Sequence, residues 1–177
     1  MRVVRSLAAL LAVGLLLAVP AIAEGEHVGS PPTATAWGPT DLGLAMALKV
    51  ASPTVHASER LPATIQIVNR SGAYVHLART VPSNDYGFTV VDRLGHTLPP
   101  STSPPFDLAM NGVTGQGFGI DPGEAFFDGF ANLVGYVEFP GPGVYTITVT
   151  SKVELKEHPD GPYANLRSNP VTVTVLP

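Results

Sequence analysis

Cysteine is absent from the 177 residues, which excludes a disulfide framework, a thiolate metal centre and a cysteine nucleophile. Lipidation through a cysteine is excluded on the same ground. Basic residues are scarce as well: 10 Lys and Arg stand against 14 Asp and Glu, a formal net charge of −4. Nucleic acids and anionic membrane surfaces are held by basic patches, so neither is an expected partner. No apolar run reaches the ~20 residues that a membrane-spanning helix needs.

The motifs of catalysis are missing too. There is no HExxH, no GxSxG, no phosphate-binding P-loop and no GxGxxG opening a helix. The stretch Gly115 to Gly119, GQGFG, precedes a strand and not a helix, so a phosphate-cradling role is not expected of it. The five histidines are dispersed, and none shares an obvious face with a second ligand. Asp121, Glu124 and Asp128 form the closest acidic group, but the first two dress a turn and Asp128 is expected on a solvent face. The reading is therefore a non-enzyme with no cofactor and no metal.

What is present begins with a processing signal. Arg2 and Arg5 form a basic n-region, and Leu7 to Val19 contain nothing but Leu, Ala, Val and Gly. Pro20 and the small-x-small triplet Ala21-Ile22-Ala23 follow, which predicts a signal peptide over residues 1–23 and cleavage after Ala23. Removing Arg2 and Arg5 leaves 8 basic residues against 14 acids, a net charge of −6. Cysteine-free export and Ala/Val/Leu-heavy usage point to a bacterial protein in the periplasm or outside the cell. About 150 residues bury roughly two thirds of their unfolded surface, enough for a core without staples.

Residues 24–41 carry Pro31, Pro32 and Pro39 without any period, and read as a flexible linker or N-terminal arm. Trp37, the one tryptophan, is expected to pack on the edge of the core or to meet a ligand. From Leu42 onward the period is two. Leu42 to Val50, Ala63 to Ile67, Tyr74 to Arg79, Tyr86 to Asp92, Ala125 to Phe130, Gly143 to Leu155 and Val171 to Val175 all read as strands. Asp121-Pro122-Gly123-Glu124 has the order of a type II turn. Gly143 to Leu155 is the strongest strand: Tyr145, Ile147 and Val149 alternate with Thr146, Thr148 and Thr150. This pattern predicts an all-β domain over residues 42–177, an antiparallel β-sandwich of seven to eight strands with Greek-key connections.

The motifs PGE at Pro122, PGxGxYTITV at Pro140 and SNPVTVTV at Ser168 resemble immunoglobulin-like domains of bacterial secreted proteins. The layout is similar to the family named after an intracellular proteinase inhibitor. That resemblance implies an immunoglobulin-like sandwich with a tyrosine corner at Tyr145. It covers roughly Leu42 to Val175, and its motifs are specific to the fold, not to an activity.

Function on such scaffolds usually sits in loops. The expectation is a monomeric module that binds a protein or cell-envelope ligand, with Asn84, Asp85, Tyr86, Phe88, Phe106 and Trp37 as candidate contacts. Phe106 lies in the long Pro- and Gly-rich stretch Pro99 to Gly117. The alternative is an extracellular protease inhibitor acting through residues 82–88 and 115–119. The first of these segments is similar to a loop of chagasin-type cysteine-protease inhibitors, although no Arg-Pro-aromatic element appears between the last two strands.

Overall fold

The computed structural model describes residues 27–29, 36–78, 86–99, 117–130, 132–155 and 162–177. The expected signal peptide lies outside the described residues. In chain order the strands are β1 (His27–Gly29), β2 (Thr40–Asp41), β3 (Leu44–Val50), β4 (Thr54–His56), β5 (Ala63–Asn69) and β6 (Val75–Ala78). They continue with β7 (Tyr86–Asp92), β8 (Phe118–Ile120), β9 (Ala125–Phe130), β10 (Gly143–Leu155), β11 (Tyr163–Arg167) and β12 (Val171–Leu176). A single 3₁₀ turn, Leu133–Gly135, is the helical element among the described residues.

The strands form two sheets that face each other across one core. The smaller has the order β1-β9-β5-β3-β2. The larger is built on β10. One edge of β10 pairs first with β12, from Gly143 to Ile147, and then with β11, from Thr150 to Glu154. Its other edge pairs with β7, from Tyr145 to Ser151, and then with β6. The 13 residues of β10 thus serve four partners, and period two sends Tyr145, Ile147, Val149 and Val153 into the core. They meet Leu44, Met46, Leu48, Ile65, Ile67 and Phe126 of the smaller sheet. Phe118 and Phe126 stack at 4.0 Å across the gap.

Two expectations are corrected. The strand count is 12 among the described residues, because β1, β2, β4 and β8, of two or three residues each, are too short to show a period, and the five-residue β11 stands outside the expected set. The pairing is not wholly antiparallel either: β4 runs parallel to β12. Only residues 51–53 separate β3 from β4, so the chain changes sheet there and β4 arrives alongside β12 in the same sense.

Three asparagine side chains tie the layers together by satisfying backbone groups that the ladders leave over. Asn169 accepts from Leu48 N–H at 2.9 Å and donates to Leu48 C=O at 3.3 Å, closing the edge of β3 that β2 does not reach. Asn132 accepts from Leu61 N–H and from Val134 N–H, anchoring the 3₁₀ turn. Asn69 is fully buried; its amide donates to Ala73 C=O and Ile120 C=O, and its oxygen accepts from Ser71. The sequence Asn69-Arg70-Ser71 has the form of a glycosylation sequon, but in the fold that amide has no free hydrogen.

The turns carry their sequence signatures. Gly123 has φ +83°, and Glu124 N–H donates to Asp121 C=O, the geometry of a type II turn. Leu42 and Gly43, at φ 47° and 80°, join β2 to β3 in a two-residue turn with both residues left-handed. Leucine tolerates that conformation poorly, a cost of about 1 kcal/mol.

Candidate functional site

The outer faces of the two sheets differ. On the smaller sheet, Ala45, Ala47, Gln66, Val68 and Ala125 are all buried. Trp37 and Phe127 pack over Ala45, Val68 and Ala125, and the Arg70 guanidinium lies 5.5 Å from the centre of the Trp37 ring. Trp37 is half-buried on this small outer cluster, apart from the core between the sheets. Two parts of the arm, residues 27–29 and 40–41, are hydrogen-bonded into this sheet.

The outer face of the larger sheet is open over much of its area, although Thr148 in its middle is buried. Period two presents Gly87 and Thr89 from β7, Thr150 and Lys152 from β10, Tyr163, Asn165 and Arg167 from β11, and Thr172 from β12, all exposed. Register sets Gly87, Thr150 and Arg167 in one row across the sheet, with Lys152 and Asn165 in the next. Gly87 adds no side chain to its row, and Thr150 leans into the gap, its hydroxyl donating to Gly87 C=O at 3.3 Å. A Cβ at Gly87 would stand 2.9 Å from that hydroxyl oxygen. The outcome is a shallow groove of about 490 Å³ lined by Gly87, Thr150, Lys152, Asn165 and Arg167 together with Ser151 and Leu166.

Electrostatically the groove is cationic. Neither Lys152 nor Arg167 forms an ion pair with a described residue; the Lys152 ammonium sits 4.2 Å from the centre of the Tyr163 ring. Asp41, at the strand edge, accepts from Asn165 N–H at 2.7 Å. Main-chain groups in the groove are consumed by ladders on both sides of β10. A ligand here would be read by hydroxyl, amide and cationic side chains.

A second depression, about 270 Å³, lies towards the other end of β10, between Arg93, Leu94, Pro142 and Val144. Leu94 is 77% exposed at the tip of the β7 hairpin. The tip is shaped by Asp92, whose carboxylate accepts from Leu94 N–H and His96 N–H and meets the His96 ring at 3.1 Å. Hydrogen bonding from His96 N–H holds that carboxyl below its ordinary range.

The other candidate residues are placed differently from expectation. Tyr86 is a core residue and not a loop contact: it opens β7 in phase with Val90 and is 8% exposed. Phe88 points the same way, half-buried, with its ring 5.4 Å from that of Tyr136. Asn84, Asp85 and Phe106 lie outside the described residues. Of the second glycine-rich segment, Gly117 seats His76 of β6 and Gly119 seats Tyr74, the residue just before β6, since a Cβ would collide with either side chain. Asp128, expected at the surface, is buried, because it is in phase with Phe126 on the inner face of β9. Among the described residues no group of three or more His, Asp or Glu converges as a metal site. No described helix is long and apolar enough to cross a membrane.

Sequence reading missed the groove because it passed over β11. The signal was present: in Tyr163-Ala164-Asn165-Leu166-Arg167 the polar residues alternate with Ala164 and Leu166, which are buried.

No family model and no curated protein matches the chain. Among solved structures it is similar to the ApaA protein from Bordetella pertussis, at 14% identity and a TM-score of 0.43, over 80% of this chain and 96% of that one. It is also similar to the structural-genomics target SoR45, at 15% identity and a TM-score of 0.41, over 77% and 90% of the two chains. For the sporulation control protein Spo0M from Bacillus subtilis the identity is 12% and the TM-score 0.39, over 76% of this chain and 50% of the other. Likenesses this slight carry no argument about activity.

Proposed function

We propose that the chain is a non-catalytic, immunoglobulin-like binding module, exported after cleavage near Ala23, that receives a protein or cell-envelope ligand in the periplasm or outside the cell. The observation that carries this reading is the difference between the two outer faces. One is covered down to Ala45 and Ala47, while the other offers Thr150, Lys152, Asn165 and Arg167 around a groove. Exposed cationic side chains without an ion pair to any described residue, in a chain of net charge −4, favour a recognition role over a purely structural one. The immunoglobulin-like part of the reading is supported by Tyr145, whose hydroxyl donates to Gly141 C=O four residues upstream at 2.8 Å.

The test is retention of the purified chain on envelope fractions of a bacterial host. Thr150→Trp fills the groove from an exposed position and should weaken retention by about tenfold, or about 1.4 kcal/mol, with an unchanged denaturation midpoint. Equal retention of the wild-type chain and Thr150→Trp would remove the open face from the account. A saturable turnover abolished by one side-chain change would remove the non-catalytic assignment.

A further inference from the structure

Resting on the binding-module reading, we propose that the groove at Gly87, Thr150, Lys152, Asn165 and Arg167 takes an acidic sugar chain, its carboxylates held by Lys152 and Arg167 and its hydroxyls by Thr150 and Asn165.

The charge comes first. Across the β10–β11 pair Thr150 stands opposite Arg167 and Lys152 opposite Asn165, so the two cations are diagonal neighbours on one face, some 7–8 Å apart at their Cα atoms. Neither is offset by an ion pair with a described residue, and the Lys152 ammonium rests 4.2 Å from the centre of the Tyr163 ring. An extended polyanion lying along this face would meet both charges. The guanidinium of Arg167 adds a planar fork that matches a carboxylate. Glu154, two residues beyond Lys152 on the same face, bounds the cationic zone on the Tyr163 side.

The sugar follows from what the groove cannot do. An extended peptide is recognised mainly through its main chain, by pairing with a free strand edge. Here β10 is occupied on both edges by β7 and β11. The outer edge of β11 is closed as well, by Asp41 on Asn165 N–H and by the close passage of Gly38 against Arg167 C=O. What remains is a face of hydroxyl, amide and cationic groups, continued along the sheet by Thr89 and Thr172. Leu166 and the aliphatic stems of the lining side chains give it apolar area as well, suited to the C–H faces of a sugar ring. Such a surface matches a ligand rich in hydroxyls and carboxylates that also presents C–H faces.

The test titrates the purified chain with trigalacturonate, maltotriose and hexaglutamate, read by calorimetry and by amide chemical shifts. Trigalacturonate should bind saturably, about tenfold tighter than neutral maltotriose, and more weakly as salt rises. Lys152→Ala and Arg167→Ala should each weaken it by about tenfold, with shifts confined to residues 87, 150–152 and 163–167, while Lys49→Ala on the other sheet leaves it unchanged. Binding that survives both groove substitutions would overturn the site. Absence of saturable binding by trigalacturonate, or hexaglutamate binding equally well with the same shifts, would overturn the sugar assignment. In those last two cases the binding-module reading is judged separately, by whether Thr150→Trp still reduces retention on envelope fractions.

Discussion

Tyr145 is held at both ends of its side chain. Its ring packs against Phe139 at 4.9 Å and lies over Gly143, and its hydroxyl reaches Gly141 C=O. The phenol is a polar group carried into an apolar site, and one hydrogen bond makes that tolerable. Tyr145→Phe keeps the ring and orphans the carbonyl. It should lower stability by about 1–3 kcal/mol, read as an earlier urea midpoint with an unchanged slope. An unchanged midpoint would remove the corner role from this residue. The corner was legible in the sequence because Tyr145 and its acceptor, Gly141 C=O, lie four residues apart in one glycine-rich stretch. Asn169 and Leu48 are separated by 121 residues, and nothing local marks Asn169 as their bridge.

At the level of the element, β10 was the easiest strand to read and the one with most to hold. Its alternation of apolar residues with threonines is long, and its inward residues from Tyr145 to Val153 are buried. Short elements behave otherwise. β2, β4 and β8 have two or three residues each, and they exist because a neighbour's edge is waiting, which is information a period cannot carry. The alternation of β3 also misleads, since Ala45 and Ala47 look like an outward, solvated set yet are fully buried. A second apolar layer covers them, and Trp37 comes to it from outside the strand pattern. Edge closure by Asn169 can be tested directly. Asn169→Ala removes both partners of the Leu48 peptide groups, leaving buried backbone unsatisfied, and should cost about 1–3 kcal/mol. Amide exchange at Leu48 should accelerate more than at Ile65, whose N–H faces the β5–β9 ladder. Equal acceleration at both amides would show that the side chain acts on global stability alone.

The whole molecule has one face closed and one face open, and this two-sidedness was not legible in the sequence. Period two marks which residues share a face, but it does not say which face a further layer will cover. The thirteen-residue strand looked like an ordinary solvated ladder on its threonine side; with β7 and β11 beside it, that side contains a cationic groove. The candidate contacts chosen for aromatic character turned out to be packing residues at Tyr86 and Phe88, because aromatic side chains in strands are most often drawn inward by their large apolar area. Residues of the groove are polar and unremarkable singly, and they acquire meaning through register.

The central claim is that the open face of the larger sheet is where this chain meets its ligand. Amide chemical-shift mapping of the isotope-labelled chain, titrated with solubilised envelope polysaccharide, tests it most directly. The account predicts saturable shifts clustered at Gly87, Thr150, Lys152, Asn165 and Arg167, with Ala45, Ala47, Gln66 and Val68 unmoved. Shifts concentrated on the smaller sheet, or no saturable shift on the open face, would contradict it.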